Sequence, residues 1–224
     1  MKKQESVGKI VKTFQKERAF NGVVALILGA GTSSRMGQTK QLLKYKESYL
    51  LEYVIRRILS FNFSRVFTVV GYEAEKIQHL IQIDDSRFQW VVNLDYRKGQ
   101  SSSLLKGIRS IGKSQSSVMV FLGDQPLISK NTISLILHKG IDQYALTPNQ
   151  PFVIQPSYQG TPGHPVFFGN LHMIDFTQLK GDRGAKKIIR NMDVWNLIPV
   201  QDQGILLDID TPEAYKRVIH FHES

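Results

Sequence analysis

The stretch that most constrains this chain runs Val23-Val24-Ala25-Leu26-Ile27-Leu28-Gly29-Ala30-Gly31-Thr32-Ser33-Ser34-Arg35-Met36-Gly37-Gln38-Thr39-Lys40. Its six leading residues are all apolar and β-branched at Val23, Val24 and Ile27. They predict a strand buried on both faces, and such strands belong to parallel sheets covered by helices. The strand runs straight into a loop. There Gly29, Gly31 and Gly37 let main-chain N–H groups approach an anion, while the hydroxyls of Thr32, Ser33 and Ser34 add donors. Arg35 and Lys40 bring two positive charges to the same place, which is the make-up of a polyphosphate site.

Two familiar phosphate loops fit badly. The P-loop needs Gly-Lys-Ser/Thr after its second glycine, and here Gly37 is followed by Gln38-Thr39-Lys40. The dinucleotide fingerprint needs a third glycine where Ser34 stands and an acid about 20 residues on, a position that falls in the apolar run after Glu52.

Leu50, Leu51, Val54, Ile55, Ile58 and Leu59 recur at helical spacing, so a core-facing helix follows the loop, then a strand over Val66 to Val70. A helix over Glu73 to Ile81 and a strand over Phe88 to Val92 come next, ending at Asn93. Gly99-Gln100-Ser101-Ser102-Ser103-Leu104 opens another helix, and three serines there exceed what a cap needs. Hydroxyls and amides at that place can hydrogen-bond a base edge or a ribose.

Val118 to Leu122 is again continuous and apolar and ends in Gly123-Asp124-Gln125-Pro126. A carboxylate at the carboxyl end of a buried strand lies where open α/β sheets bind ligands. Asp124 is therefore the first choice for a magnesium ligand, since Mg²⁺ takes one or two carboxylates plus phosphate oxygens and water. Ile133, Ile136 and Leu137 belong to a helix capped at Ser129. Short strands over Phe152 to Gln155 and Val166 to Phe168 flank a turn containing Gly163-His164-Pro165. Gly181-Asp182-Arg183-Gly184-Ala185-Lys186-Lys187 starts a helix whose first turn can receive an anion, with Arg183 and Lys186 nearby. In Asp208-Ile209-Asp210-Thr211-Pro212, strand alternation puts both acids on one face, and Thr211-Pro212 is a helix start.

Charge and composition narrow the function classes. Four of the ten excess positive charges lie in a leader, residues 1–21, and the remaining six in the body. A basic body steers anionic substrates such as nucleotides and phosphate esters. No recognition helix, zinc-finger spacing or aromatic-rich RNA-binding signature points to nucleic acid. The leader places Val7, Ile10, Val11 and Phe14 at helical spacing, as an amphipathic helix would. With no cysteine, no apolar run of membrane-spanning length and no signal-peptide core, a cytoplasmic protein without a membrane partner is expected. A single domain over residues 22–224 is expected after the leader.

Five motifs stand in order: the Gly29-to-Lys40 loop, Gly99 to Leu104, Gly123 to Pro126, Gly163-His164-Pro165-Val166 with Gly181 to Ala185, and Asp208 to Pro212. Together they resemble the molybdenum cofactor nucleotidyltransferase family, and within it the molybdopterin cytidylyltransferase branch. The resemblance covers about Val23 to Tyr215. It implies a three-layer α/β/α nucleotidyltransferase fold with a mostly parallel, Rossmann-like sheet. It further implies Mg²⁺-dependent reaction of CTP with molybdopterin to give the cytosine dinucleotide cofactor and pyrophosphate, in the service of a client molybdenum hydroxylase and of purine breakdown.

Carried onto these residues, the resemblance implies a nucleotide held by Gly29 and the amides of Ala30, Gly31 and Thr32, with Arg35. Transition-state charge falls to Lys40 and Mg²⁺, the metal being held by Asp124 with Asp210 or Asp208. Asn93 and Ser101, Ser102 and Ser103 form the base pocket, and the pterin lies near His164 and Arg183. Two features depart from the family pattern: Thr39 stands where proline is frequent, and the basic leader has no counterpart. Transfer of GMP or of a sugar phosphate is the alternative within the class. A non-catalytic carrier of the finished cofactor is the alternative outside it.

Overall fold

The computed structural model describes residues 22–33, 35–112, 114–181 and 184–220. The leader, Ser34, Asp182 and Arg183 lie outside the described residues. Strand β1 spans Val23–Leu28, and every residue in it is buried because neighbouring strands pair both its edges and helices cover both its faces. After the glycine loop come a short hairpin, β2 (Lys44–Tyr45) and β3 (Ser48–Tyr49), helix α1 (Leu50–Leu59) and β4 (Arg65–Val70). Helix α2 (Ala74–Leu80), β5 (Phe88–Val92), α3 (Gln100–Ile111) and β6 (Ser117–Leu122) follow. The second half holds α4 (Lys130–Leu146), β7 (Phe152–Tyr158), β8 (Thr161–Pro162) and β9 (Val166–Gly169). It closes with α5 (Lys186–Arg190), β10 (Val194–Pro199) and α6 (Pro212–His220).

The main sheet runs β10-β7-β9-β6-β1-β4-β5, with β8 added to β7. β1 pairs in parallel with β4 and β6, β4 with β5, and β10 with β7. Only β9 runs against its two neighbours, β6 and β7, within that path. Alternation along β1 divides the core. Val23, Ala25 and Ile27 pack with Leu51, Ile55, Ile77 and Ile136 from α1, α2 and α4. Val24, Leu26 and Leu28 face the opposite layer, with Leu104 and Ile111 of α3 and Ile188 and Ile189 of α5. The result is the expected three-layer α/β/α arrangement, in which β1, β4 and β6 end at one rim of the sheet.

Ser129 caps α4 as expected, its hydroxyl accepting from the Thr132 amide at 3.1 Å. Thr211 caps α6 in the same way through the Ala214 amide, also at 3.1 Å. One expectation is corrected. Asp208 to Asp210 is not a strand; it is extended chain with no ladder partner, following a 3₁₀ turn over Gln203–Leu206. The alternation survives, because Ile209 is buried in a small cluster with Met36, Leu43 and Leu50 while both acids keep solvent contact.

Candidate active site

The loop after β1 is shaped by close approach. The Gly29 amide donates to the Val69 carbonyl at 2.8 Å, and a Cβ on Gly29 would lie 3.2 Å from Leu51 Cδ1. Gln41, buried at 3 % exposure, reaches back from the single 3₁₀ turn Lys40–Leu42. Its Nε2 donates to Gly29 O at 2.7 Å and to Gly31 O at 3.0 Å. These bonds turn two carbonyls away from the loop's open side, and no backbone carbonyl of the described residues accepts from the amides of Ala30, Gly31 or Thr32. The chain returns through Ser33 and Gly37, both at positive φ (56° and 68°). The Lys40 amide then donates to Ser33 Oγ at 3.0 Å. On the other side of Lys40, the Thr39 hydroxyl is hydrogen-bonded to Glu73.

The acids arrive from two other segments. Asp124 follows β6, and its carbonyl accepts from the Ile209 amide at 3.0 Å, which brings the Asp208–Asp210 segment alongside. Lys40 Nζ stands between the carboxylates, donating to Asp124 and, at 2.7 Å, to Asp210 Oδ1. Arg35 donates to Asp210 Oδ2 at 2.9 Å. Burial alone would lower the Lys40 pKa, but the Asp124 and Asp210 carboxylates outweigh it and raise it, so the ammonium stays charged. The Asp210 carboxyl, which burial would raise, is held below its ordinary value by Lys40 and then Arg35.

Gly29 to Thr32, Arg35, Lys40, Gln41, Asp124 and Asp210 line one cavity of about 410 Å³, together with Tyr96, Arg97, Gln100, Ser103 and Asp208. It sits at the carboxyl ends of β1 and β6, offering main-chain amides and cations on one wall and acids on the other.

Asp124, Asp208 and Asp210 do not form a three-carboxylate metal cage. Among the described residues no group of three or more His, Asp or Glu side chains is arranged to hold a metal ion. Asp208 turns instead to Gln125, whose Nε2 donates to Oδ1 at 2.5 Å. Asp124 and Asp210, bridged by one ammonium, remain a two-carboxylate pair already organised around a cation. That donor set fits Mg²⁺, which needs few protein ligands beside substrate phosphate.

Burial, then the Asp124 carboxylate, pushes the Asp208 carboxyl up to about 6. A folded-state pKa raised this way makes the folded chain bind the proton more tightly. Stability therefore falls as pH climbs from 3.8 to about 6, and the loss is complete above that range. Asp208→Asn keeps an acceptor for Gln125 and removes the charge. Without divalent cations the variant is expected to melt above the wild-type chain at neutral pH, the gap closing as pH falls towards about 4. Thermal melts across that range check it, and a gap independent of pH contradicts it. Asp208 keeps a solvent-facing edge, so the gap is modest.

The remaining expected site residues divide. Ser103 lines the main cavity. Asn93, Ser101 and Ser102 instead line a second, basic hollow with Lys98, Lys106, Arg109 and Lys180. Asn93 is 3 % exposed, and its Nδ2 is already committed to Ser102 Oγ at 3.0 Å and Ser103 Oγ at 3.1 Å. Asn93 thus pins the start of α3 to the end of β5. His164 lies off the main cavity in a smaller one. Burial, then the nearby Lys186 ammonium, lowers its pKa to about 4, so its imidazole is neutral and brings no charge to a phosphate. Arg183 lies outside the described residues.

Sequence reasoning missed Gln41, Tyr96, Arg97 and Gln100. Gly99, with φ 95° and ψ 176°, carried the only local signal for the last three, because such a backbone turns the chain sharply into α3.

Comparison with known proteins bears on this geometry. Residues 25–195 match the family model of the MobA-like NTP transferase domain. The chain is similar to the purine catabolism protein PucB of Bacillus subtilis (strain 168), 25% identical over 204 residues, covering 88% of this chain and 95% of that protein. It is also similar to the molybdenum cofactor cytidylyltransferase of Escherichia coli (strain K12), 26% identical over 197 residues, 87% and 94% of the two chains. Among solved structures, the Mycobacterium tuberculosis Rv0371c homologue from Mycobacterium sp. strain JC1 superimposes with a TM-score of 0.74. Identity there is 23%, with 90% of this chain and 96% of that one covered.

Proposed function

Because this chain belongs to the MobA-like NTP transferase family and is a nucleotidyltransferase, we propose that it transfers CMP from CTP to molybdopterin, releasing pyrophosphate. The observation that carries this reading is the convergence of Lys40 and Arg35 on Asp124 and Asp210 beside the glycine loop, in one cavity of triphosphate size. The choice of CTP and of a pterin acceptor is supported by the similarity to the E. coli cytidylyltransferase. Similarity to PucB supports a role in maturing a molybdenum hydroxylase of purine breakdown.

In this reading the β- and γ-phosphates lie on the amides of Ala30, Gly31 and Thr32 with Arg35. The acceptor's terminal phosphate attacks the α-phosphorus in line; a P–O bond forms there as the bond to the pyrophosphate oxygen breaks. The nucleophile is already anionic, so no side chain needs to take a proton. The work of the protein is to align two anions and neutralise the charge that gathers between them. Lys40 supplies a fixed positive charge for that purpose. Asp124 with Asp210 would hold Mg²⁺, which supplies further charge neutralisation when bound.

Purified protein incubated with Mg²⁺ and each nucleotide in turn, with and without molybdopterin, tests the reading. Pyrophosphate is expected from CTP alone, and only when the pterin is present. Release from GTP instead would overturn the choice of base, and release independent of the pterin would overturn the acceptor.

A further inference from the structure

Gln41 sits beneath the glycine loop with both ends of its amide committed. Nε2 donates to the carbonyls of Gly29 at 2.7 Å and Gly31 at 3.0 Å, and Oε1 accepts from the Ser33 hydroxyl at 3.3 Å. The two carbonyls fix which end of the amide is nitrogen, because the reversed amide would set oxygen against oxygen. No main-chain amide of the described residues donates to either carbonyl, so Gln41 is what satisfies them. Ser33 passes the tie onward, its Oγ accepting from the Lys40 amide at 3.0 Å. Along the 3₁₀ turn Lys40–Leu42 neighbouring side chains splay by about 120°. That sends the Lys40 ammonium to Asp124 and Asp210 and the Gln41 amide under the loop.

The side chain at this position has a chemical reason. A carbonyl turned into the loop would repel phosphate oxygens, whereas one held back by Gln41 leaves the amides of Ala30, Gly31 and Thr32 to face them. A group that holds two carbonyls and receives a hydroxyl must donate twice and accept once, and a primary amide does this without charge. A glutamate there would place oxygens against the carbonyls and a negative charge under a polyanion. A lysine could not accept from Ser33. At 3 % exposure Gln41 acts through the loop instead of on a substrate.

We propose that Gln41 is a positioning residue that preorganises the loop for a phosphate chain, setting affinity for a triphosphate while leaving affinity for a nucleoside monophosphate nearly untouched. This role rests on the reading above, in which the β- and γ-phosphates lie on the amides of Ala30, Gly31 and Thr32. Lys40 keeps Asp124 and Asp210 when Gln41 is replaced, so the effect falls on binding rather than on the chemical step.

Binding is measured by calorimetry on the full chain with Mg²⁺, using inorganic tripolyphosphate, CTP and CMP. Gln41→Leu removes all three bonds, and Gln41→Glu keeps the length and shape of the side chain; thermal melts establish whether each folds. Gln41→Leu is expected to lose about tenfold or more in affinity for tripolyphosphate and CTP, and less than about threefold for CMP. In pyrophosphate release, KM for CTP is expected to rise by the same factor, with kcat changed far less. The carboxyl of Gln41→Glu, buried among oxygens, titrates above its ordinary range and regains one donor when protonated. Its loss relative to the wild-type chain is therefore expected to grow as pH rises and shrink as pH falls, while that of Gln41→Leu stays level.

Wild-type affinity for tripolyphosphate in folded Gln41→Leu overturns the proposal, as does failure of tripolyphosphate to bind the wild-type chain. So does an equal loss for CMP, which marks a general disturbance of the fold, or a fall in kcat with KM unchanged. If Gln41→Leu does not fold, a pH-independent ratio between Gln41→Glu and the wild-type chain overturns it. A chain whose tripolyphosphate affinity depends on Gln41 but which releases no pyrophosphate from CTP keeps this role and loses the reaction. Pyrophosphate release without that dependence keeps the reaction and loses the role.

Discussion

Lys40→Ala is expected to lower turnover by about 10²–10³-fold while the protein still folds. Among the described residues Lys40 contacts both Asp124 and Asp210, so its removal leaves two facing carboxylates with Arg35 on one of them only. Their mutual repulsion then acts unopposed on the Asp124 side, and the unneutralised negative charge there works against binding of an anionic substrate. Lys40→Arg keeps the charge. Its planar fork cannot sit between two oxygens as a compact ammonium does, so an intermediate loss is expected. Steady-state pyrophosphate release, with circular dichroism to establish folding, checks both variants. Normal turnover in a folded Lys40→Ala protein would remove Lys40 from the chemistry.

The loop and its cations were legible in the sequence because each signal was local. A six-residue apolar run, glycines and two basic residues lie within one short stretch, and β1 emerges with the expected bounds. The same holds for the helix after the loop and for β5, while β4 and β6 each begin one residue earlier than expected, at Arg65 and Ser117. What could not be read was pairing across distance. Nothing near Gln41 announces that its amide will hold Gly29 and Gly31, because a glutamine beside a lysine ordinarily reads as surface. Asn93 and the serines look ligand-binding in the sequence for the opposite reason: polar groups at a strand end and helix start can serve either a ligand or each other, and here Asn93 bonds Ser102 and Ser103. β10 carries weak alternation, with three of its six residues partly buried and the other three exposed, and its pairing with β7 comes from the sheet rather than its own pattern.

Phe167→Ala is expected to destabilise the fold by about 3–5 kcal/mol. The ring is fully buried and stacks on Phe152 with centroids 5.9 Å apart. Gly140 of α4 lies directly on it, where a Cβ would come within 2.4 Å of Cδ2, so the helix is seated against the aromatic face. Truncation leaves a cavity that α4 cannot collapse to fill without leaving the sheet. At about 2–4 °C per kcal/mol for a chain of this size, the melting temperature is expected to fall by roughly 6–20 °C. Differential scanning calorimetry measures it, and a fall of only a degree or two would mean that the core reorganises around the loss. Phe167 points to the opposite face of β9 from Val166 and Phe168. Turnover per folded molecule is therefore expected to change far less than stability.

The ties on either side of Lys40 have a further consequence. Thr39 is anchored to Glu73, Gln41 to the glycine loop, and the Lys40 amide itself to Ser33, so the backbone there is fastened by bonds separate from those that hold the ammonium. Lys40 is a tethered counterion whose root is held by main-chain and neighbouring side-chain bonds and whose tip is held by Asp124 and Asp210. Such a tip can leave the carboxylates and follow an arriving polyanion by rotamer changes alone, and the entrance of the nucleotide then requires no main-chain bond in the loop to be undone.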